Sequence, residues 1–162
     1  MEPIQSNKIY PIGIQNFEKM RKGGYFYVDK TALVYRLVKT GSYYFLSRPR
    51  RFGKSLLIST LEAYFQGKKE LFEGLAMEKL EKDWIKRPVL HIDLNIGKYD
   101  TPDSLDKQLE KAVTEWEQLY GTGMAESTLA LRFAGVVRRA CEQTWQRVAI
   151  LIDEYDKPML QA

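Results

Sequence analysis

The stretch of sequence that decides the fold class covers residues 43 to 57 and reads Tyr43-Tyr44-Phe45-Leu46-Ser47-Arg48-Pro49-Arg50-Arg51-Phe52-Gly53-Lys54-Ser55-Leu56-Leu57. Its first four residues are aromatic or apolar, and they predict a β-strand. Apolar residues then recur at helical spacing, which predicts a helix from about Lys54 to about Gln66. A predicted strand, loop and helix therefore surround the Gly-Lys-Ser triplet.

Gly53, Lys54 and Ser55 have the properties that a phosphate-binding loop requires. Gly53 allows close approach of the backbone, Lys54 reaches the β- and γ-phosphates of ATP, and the Ser55 hydroxyl ligates Mg²⁺. The helix that follows adds backbone N–H donors and the positive end of its dipole. We therefore expect an ATP site formed by Arg48, Pro49, Arg50, Arg51, Phe52, Gly53, Lys54, Ser55 and Leu56.

The loop departs from the usual P-loop pattern at its first position. That pattern opens with a glycine, and in this chain Arg48 takes its place. Two other interpretations fit the same residues: a surface loop with solvated arginines, or a loop that binds the phosphates of a nucleic acid.

A second candidate half-site follows the apolar run Val148-Ala149-Ile150-Leu151-Ile152, which ends in Asp153 and Glu154. Such a run is typical of a strand buried in a parallel sheet. Asp153 is expected to hold Mg²⁺, and Glu154 is expected to act as the base that deprotonates the attacking water. The alternative is an acidic turn at the end of a strand. The two motifs occur in the right order on the right kinds of element, which favours a P-loop ATPase.

Predicted strands alternate with predicted helices along the chain, which indicates an α/β fold with a mostly parallel sheet flanked by helices. We expect strands at residues 25–28, 43–46, 89–94 and 148–152. Helices are expected at residues 29–39 and 54–66, after the Thr101-Pro102 cap, and after a cap at Ser127, with short helical pieces between residues 68 and 87.

The composition limits the class of protein. A chain of 162 residues, 44% of them hydrophobic, suits one globular domain. The net charge of +4 does not by itself imply a nucleic-acid partner. The single cysteine, Cys141, excludes an internal disulfide, and no apolar run is long enough to span a membrane. We therefore expect a cytoplasmic protein with no membrane partner, and nothing in the sequence specifies an oligomeric state.

Several stretches of the chain resemble the bacterial AAA-ATPase-like family. They are residues 45–55, which contain Arg-Pro-Arg-Arg-Phe-Gly-Lys-Ser, residues 25–31 (Tyr-Phe-Tyr-Val-Asp-Lys-Thr) and residues 151–158 (Leu-Ile-Asp-Glu-Tyr-Asp-Lys-Pro). Residues 11–17 and 88–94 also resemble this family, so the likeness extends over nearly the whole chain. The resemblance accounts for Arg48, because members of the family have an arginine-rich loop in place of the first glycine.

The resemblance implies an AAA/ASCE-type P-loop NTPase that uses ATP and Mg²⁺, with Lys54 and Glu154 as catalytic residues and Ser55 and Asp153 at the metal. Longer members resemble fusions to a C-terminal nuclease-like domain of the PD-(D/E)XK type. In AAA-type ATPases the strand after the Asp-Glu strand lies between that strand and the P-loop strand. We therefore expect residues 1–162 to be the N-terminal part of one P-loop domain, incomplete after the Asp-Glu strand.

A lone histidine, an aspartate at a strand end and an aromatic segment are further candidates for a role in the site. His91 is expected to have a structural role in its strand, since no other histidine or cysteine lies at ligand spacing. Asp93 lies at the strand end where ligands bind in open α/β sheets, so contact with a magnesium-bound or attacking water is a secondary hypothesis for it. The aromatic residues Tyr25, Phe26 and Tyr27 fit either core packing or an adenine contact.

Overall fold

The computed structural model describes residues 9–41, 43–47, 53–101 and 103–161. The chain divides into two compact units, Met1–Ile85 and Lys86–Ala162. Each unit has its own helices. The two-stranded sheet that the described residues form lies in the second unit.

The first unit is helical in the part that the structure describes. Its elements are α1 (Phe17–Lys22), α2 (Thr31–Thr40), α3 (Lys54–Phe65), a 3-10 turn (Lys69–Phe72) and α4 (Ala76–Leu80). The 3-10 turn and α4 confirm the short helical pieces expected in this region.

An aromatic and sulfur-containing core holds the first unit together. Phe17, Phe72 and Met77 are fully buried, and the rings of Phe17 and Phe72 have centroids 4.9 Å apart. The Tyr27 ring contacts Phe17 edge-on at 5.3 Å. Tyr27 therefore packs against the core of this unit, and the adenine contact considered for this aromatic segment stays a prediction.

The helix α2 begins where Asp29 and Thr31 satisfy backbone donors. Asp29 Oδ1 accepts hydrogen bonds from the backbone N–H (2.8 Å) and the hydroxyl (2.6 Å) of Thr31. Asp29 Oδ2 accepts from the backbone N–H of Ala76 at 2.7 Å, and Thr31 Oγ1 accepts from that of Met77 at 3.0 Å. The motif Asp29-Lys30-Thr31 thus ties the first turns of α2 and α4 together.

Two segments predicted as strands, Tyr25–Val28 and Tyr43–Leu46, are not strands in the structure. In the first segment the backbone N–H of Phe26 donates to Ile9 O at 2.9 Å and that of Tyr25 donates to Met20 O at 3.1 Å. In the second, Tyr43 and Phe45 are largely exposed. A run of β-prone residues forms a strand only where another strand aligns beside it, and neither segment belongs to the sheet that the described residues form.

The second unit combines a parallel sheet with two long helices. Its elements are β1 (Val89–Asp93), α5 (Ser104–Tyr120), α6 (Leu129–Thr144), β2 (Ala149–Asp153) and α7 (Lys157–Gln161). The strands β1 and β2 pair in parallel, in a register that joins Val89 to Ala149 and Asp93 to Asp153. Both strands, α5 and α6 confirm the corresponding predictions and establish an α/β architecture.

The core of the second unit lies between the sheet and the two long helices. Leu90 and Ile92 from β1 are buried with Val113 and Trp116 from α5 and Val136 from α6. Outside this core, Arg132 on α6 donates to both carboxylate oxygens of Glu117 on α5, at 2.9 Å and 2.7 Å. Apolar packing and this paired hydrogen bond together fix α6 against α5.

The caps of the two long helices differ slightly from the sequence-based expectation. Thr128, not Ser127, caps α6, since its hydroxyl accepts from the backbone N–H of Leu131 at 3.2 Å. The helix α5 begins at Ser104, and Pro102 lies outside the described residues. Among the helices that the structure describes, none has the length and apolar character needed to cross a bilayer.

Candidate functional site

The first group of predicted site residues lies at the N-terminus of α3. Gly53 is the residue before the helix and has a left-handed backbone conformation, with φ 76° and ψ 20°. Among the described residues, no atom lies within 4 Å of a side chain built at this position, and the backbone conformation is what favours glycine. The chain therefore turns at Gly53 and enters α3 directly at Lys54.

The first turn of α3 begins with Lys54, Ser55 and Leu56, all half-buried. The backbone N–H groups of a first turn have no partner within their own helix. Within the described residues, no side chain caps this N-terminus. These donors and the positive end of a helix of 12 residues are therefore suited to an anion such as a phosphate.

The remaining predicted loop residues lie outside the described part of the chain. They are Arg48, Pro49, Arg50, Arg51 and Phe52. Their predicted contacts with the nucleotide stay a prediction.

Hydroxyl groups fix α3 within the first unit. Ser59 Oγ accepts from the backbone N–H of Phe17 at 2.9 Å, which ties α3 to the start of α1. Ser59 and Thr60 both donate to the carbonyl oxygen of Leu56, at 3.0 Å and 2.7 Å. Ser59 lies one turn after the start of α3, and its hydrogen bond to Phe17 anchors the helix that carries Lys54 and Ser55.

The second group of predicted residues lies at the carboxyl end of the sheet in the second unit. Asp93 ends β1, Asp153 ends β2, and the strand register pairs the two residues. Asp153 is buried, and its Oδ1 accepts from the backbone N–H of Glu154 at 2.9 Å. Asp93 is exposed, and its Oδ1 accepts from the backbone N–H of Asn95 at 2.8 Å. Two carboxylates therefore end neighbouring strands at the edge where parallel sheets bind ligands.

The charge of Asp93 affects a tyrosine beneath this edge. Tyr99 is buried and donates its hydroxyl hydrogen to Leu94 O at 2.8 Å. Burial raises the pKa of Tyr99 above its usual value, and the negative charge of Asp93 raises it further. Tyr99 thus remains a neutral hydrogen-bond donor under the end of β1.

Glu154 has an unusual backbone conformation for its residue type. Its φ is 56°, in the left-handed region, which costs a residue with a side chain about 1–2 kcal/mol. Its N–H is bonded to Asp153 Oδ1, and its carbonyl oxygen accepts from the backbone N–H of Lys157 at 3.1 Å. Strained backbone of this kind persists only where surrounding contacts hold it, and it is common at functional sites.

Two residues at this edge, Asn95 and Lys157, were not assigned a role from the sequence. The Lys157 ammonium donates to the backbone carbonyl of Asn95 and, at 3.2 Å, to its side-chain Oδ1. The available signal was that Lys157 belongs to residues 151–158, one of the stretches that carry the family resemblance. Asn95 had no such signal, because the sequence does not reveal which residue Lys157 contacts.

The two predicted magnesium ligands, Ser55 and Asp153, are both oxygen donors. In the described residues, no group of three or more His, Cys, Asp and Glu is arranged to hold a metal ion. The predicted ligands Ser55 and Asp153 supply a hydroxyl and a carboxylate, and they lie in different units. Magnesium prefers oxygen ligands and usually takes one or two from protein, with phosphates and waters completing its shell. Each residue, taken by itself, therefore offers the kind of oxygen ligand that magnesium prefers.

Comparisons with known proteins give the chain a family. The model of the AAA-ATPase-like family, described as a predicted AAA-ATPase, matches residues 11–162. A protein of Azotobacter chroococcum mcd 1, described as an uncharacterized protein in the vnfD 5′ region, is 43% identical over 157 residues. That alignment covers 96% of this chain and 30% of the relative, so the chain spans less than a third of the relative's length. No solved structure matches the chain. Because the family match extends over nearly the whole sequence, the chain belongs to the AAA-ATPase-like family.

Proposed function

We propose that this chain binds Mg-ATP at the N-terminus of α3 and that the whole protein hydrolyses the bound ATP. The observation that carries the proposal is the left-handed Gly53 followed at once by Lys54 and Ser55 in the first turn of a helix. The geometry combines a left-handed glycine, backbone donors and a lysine at a helix N-terminus, which suit the binding of triphosphate oxygens. Membership in a family described as predicted AAA-ATPases supports the same ligand.

In the proposed complex, Lys54 and the first-turn backbone N–H groups hold the phosphates, together with the loop Arg48–Phe52. The Ser55 hydroxyl and the Asp153 carboxylate would each supply an oxygen ligand for magnesium, directly or through water, and bound magnesium would neutralise charge on the phosphates. The burial of Asp153 supports this role, since a carboxylate shielded from water interacts more strongly with a cation.

Glu154 is the proposed general base. It accepts a proton from a water molecule as the water oxygen bonds to the γ-phosphorus, and the bond between that phosphorus and the β–γ bridging oxygen breaks to release ADP. Asp153 and Glu154 are adjacent, but Asp153 is buried whereas Glu154 lies in a half-exposed turn. This difference suits one carboxylate to the metal and the other to the water.

The whole protein is part of the proposal. The Azotobacter relative is longer than this chain, which leaves room in that protein for the nuclease-like domain that the family resemblance implies. For this protein we propose that residues 1–162 form the N-terminal part of an ATPase domain, with such a domain following in the longer polypeptide.

The test is the binding of Mg-ATP by wild-type protein and by Lys54→Ala, measured by isothermal titration calorimetry. We expect the variant to show no measurable binding, because the phosphates lose the ammonium that reaches them from the first turn of α3. The control is Lys69→Ala, which removes an exposed lysine from the 3-10 turn that follows α3 and should leave the affinity unchanged.

Unchanged ATP affinity in Lys54→Ala would contradict the proposal. A nucleic-acid module would instead show DNA or RNA binding that weakens steeply with salt and that ATP does not displace. The same protein preparation, titrated with an oligonucleotide at two salt concentrations, distinguishes these functions.

A further inference from the structure

The segment Glu154–Asp156, which connects β2 to α7, is fixed at both ends to the segment that follows β1. At its start, the backbone N–H of Leu94 donates to Asp153 O at 3.1 Å. At its end, the Lys157 ammonium donates to Asn95 O and to Asn95 Oδ1, the latter at 3.2 Å. Neighbouring residues of one segment, Leu94 and Asn95, thus hold the two ends of the other.

This arrangement bears directly on Glu154, whose left-handed conformation needs support. The Asp153 side chain holds the N–H of Glu154, and the backbone N–H of Lys157 holds its carbonyl oxygen. Asp153 and Lys157, which supply these two contacts, are themselves hydrogen-bonded to Leu94 and Asn95, the residues that follow β1. Release of the Lys157 side chain would leave the second of these contacts without its long-range anchor.

We propose that Lys157, through its hydrogen bonds to Asn95, is the positioning residue that holds Glu154 in place for the hydrolytic step. This inference rests on the proposed function, since it takes Glu154 to be the base. Lys157 contacts neither the nucleotide nor the attacking water in this proposal. It acts by keeping the Glu154 turn in one conformation, and catalysis depends steeply on such placement.

The first measurement follows the conformation of the turn and does not depend on ATP hydrolysis. Hydrogen exchange of the full-length protein, followed by mass spectrometry over residues 150–161, should be about threefold faster or more in Lys157→Met than in wild type. Methionine keeps an unbranched side chain and removes the ammonium. Lys157→Arg should restore slow exchange, because the guanidinium can donate to both oxygens of Asn95. The control is Lys98→Met, which removes an exposed lysine from the segment that contains Asn95.

The second measurement asks whether the turn serves catalysis. We expect Lys157→Met to lower kcat for ATP by about tenfold or more, as expected for a displaced catalytic group. The Kd for Mg-ATP should stay within about twofold of the wild-type value, because the lost interaction is made away from the nucleotide. Asn95→Ala removes only one of the two acceptors, so it should change kcat in the same direction by a smaller factor.

Three outcomes are decisive. Unchanged exchange in Lys157→Met would overturn the inference, because the turn would then hold its conformation without the lysine. A Kd about tenfold weaker at unchanged kcat would also overturn it, since Lys157 would then contact the nucleotide. A wild-type protein that binds ATP without hydrolysing it would overturn the proposed turnover alone, while the exchange comparison would still decide whether Lys157 holds the turn.

Discussion

Glu154 is the residue at which local structure and proposed chemistry are most closely linked. Its backbone is left-handed, with φ 56°, although glycine or asparagine would adopt this conformation more readily. A glutamate at such a position is consistent with a role for its carboxylate, since the fold alone would be served better by another residue.

The change Glu154→Gln tests that role in the full-length protein. Glutamine keeps the size and the hydrogen-bonding capacity of glutamate but cannot accept the proton of the attacking water. We expect ATP to stay bound while turnover falls by about a hundredfold, the usual scale for the loss of a general base. Single-turnover hydrolysis and calorimetry with Mg-ATP measure the two quantities separately.

Wild-type turnover in Glu154→Gln would identify Glu154 as a turn residue. Wild-type protein that binds ATP without measurable turnover would instead favour a nucleotide-dependent switch or scaffold, in which Glu154 is dispensable. Glu73→Gln serves as the control, because it changes an exposed glutamate in the first unit in the same way.

At the scale of elements, one buried carboxylate joins three helices of the first unit. Glu81 directly follows α4, and its Oε2 accepts from the Tyr64 hydroxyl of α3 at 2.5 Å and from the Lys39 ammonium of α2 at 2.9 Å. Burial raises the pKa of Glu81, but the hydrogen bonds from Tyr64, Lys39 and the backbone of Asp83 outweigh it and lower the pKa to about 2. The folded state therefore favours the charged form of Glu81.

This pKa predicts how the stability of the protein depends on pH. A carboxyl group whose pKa is lower in the folded state stabilises it above the unfolded pKa, near 4.5, and this contribution falls as the pH drops toward 2. Glu81→Gln should lower the free energy of unfolding by about 1–3 kcal/mol at pH 7. The difference from wild type should shrink between pH 4.5 and pH 2.

Thermal unfolding at pH 7, 5, 4 and 3 measures this difference. Glu70→Gln, which alters an exposed glutamate on the 3-10 turn, should leave the free energy of unfolding nearly unchanged at every pH. A Glu81→Gln deficit that stays constant from pH 7 to pH 3 would show that lost packing, not charge, causes the destabilisation.

The helices were more predictable from the sequence than the contacts between elements. The spacing of apolar residues is a local signal, and the predicted helix of residues 54–66 agrees closely with the observed α3 (Lys54–Phe65). Strand formation also depends on a partner elsewhere in the chain, which local composition does not reveal. The apolar run of residues 148–152 therefore predicted β2 correctly, whereas the equally β-prone Tyr43–Leu46 formed no strand.

In the candidate site, too, the features set by local sequence were predictable and the long-range contacts were not. Gly53 was expected just before a helix and Lys54 at its start, because turn and helix signals are adjacent in the sequence, and the structure has both residues there. The roles of Glu81, Asn95 and Lys157 arise from partners distant in sequence: Tyr64 lies 17 residues from Glu81, and Asn95 lies 62 residues from Lys157. No periodicity or local motif encodes such pairs.

At the scale of the whole molecule, the sheet leaves apolar side chains partly uncovered. Ile150 and Ile152 of β2 are 44% and 49% exposed, whereas Leu90 and Ile92 of β1 are buried. Within the described residues, β2 pairs with one strand, β1. An apolar strand with an open edge is a template for pairing with another strand.

We propose that a further strand of the whole protein pairs with this second edge of β2, as the strand order of AAA-type ATPases implies. The isolated polypeptide 1–162 should then self-associate through β2, because its backbone N–H and C=O groups find partners in other copies. In Ile152→Lys, a charge on the strand disfavours this pairing, so we expect the fragment to stay monomeric at concentrations where wild-type 1–162 associates.

Analytical ultracentrifugation over a concentration series tests this prediction. The matched control is Met124→Lys, which places the same charge at a fully exposed apolar residue outside the strands and should not prevent association. If both variants reduce association equally, net charge and not the edge of β2 controls it. If wild-type 1–162 is monomeric and hydrolyses ATP as fast as the full-length protein, then β2 needs no further strand, and residues 1–162 form a complete ATPase domain.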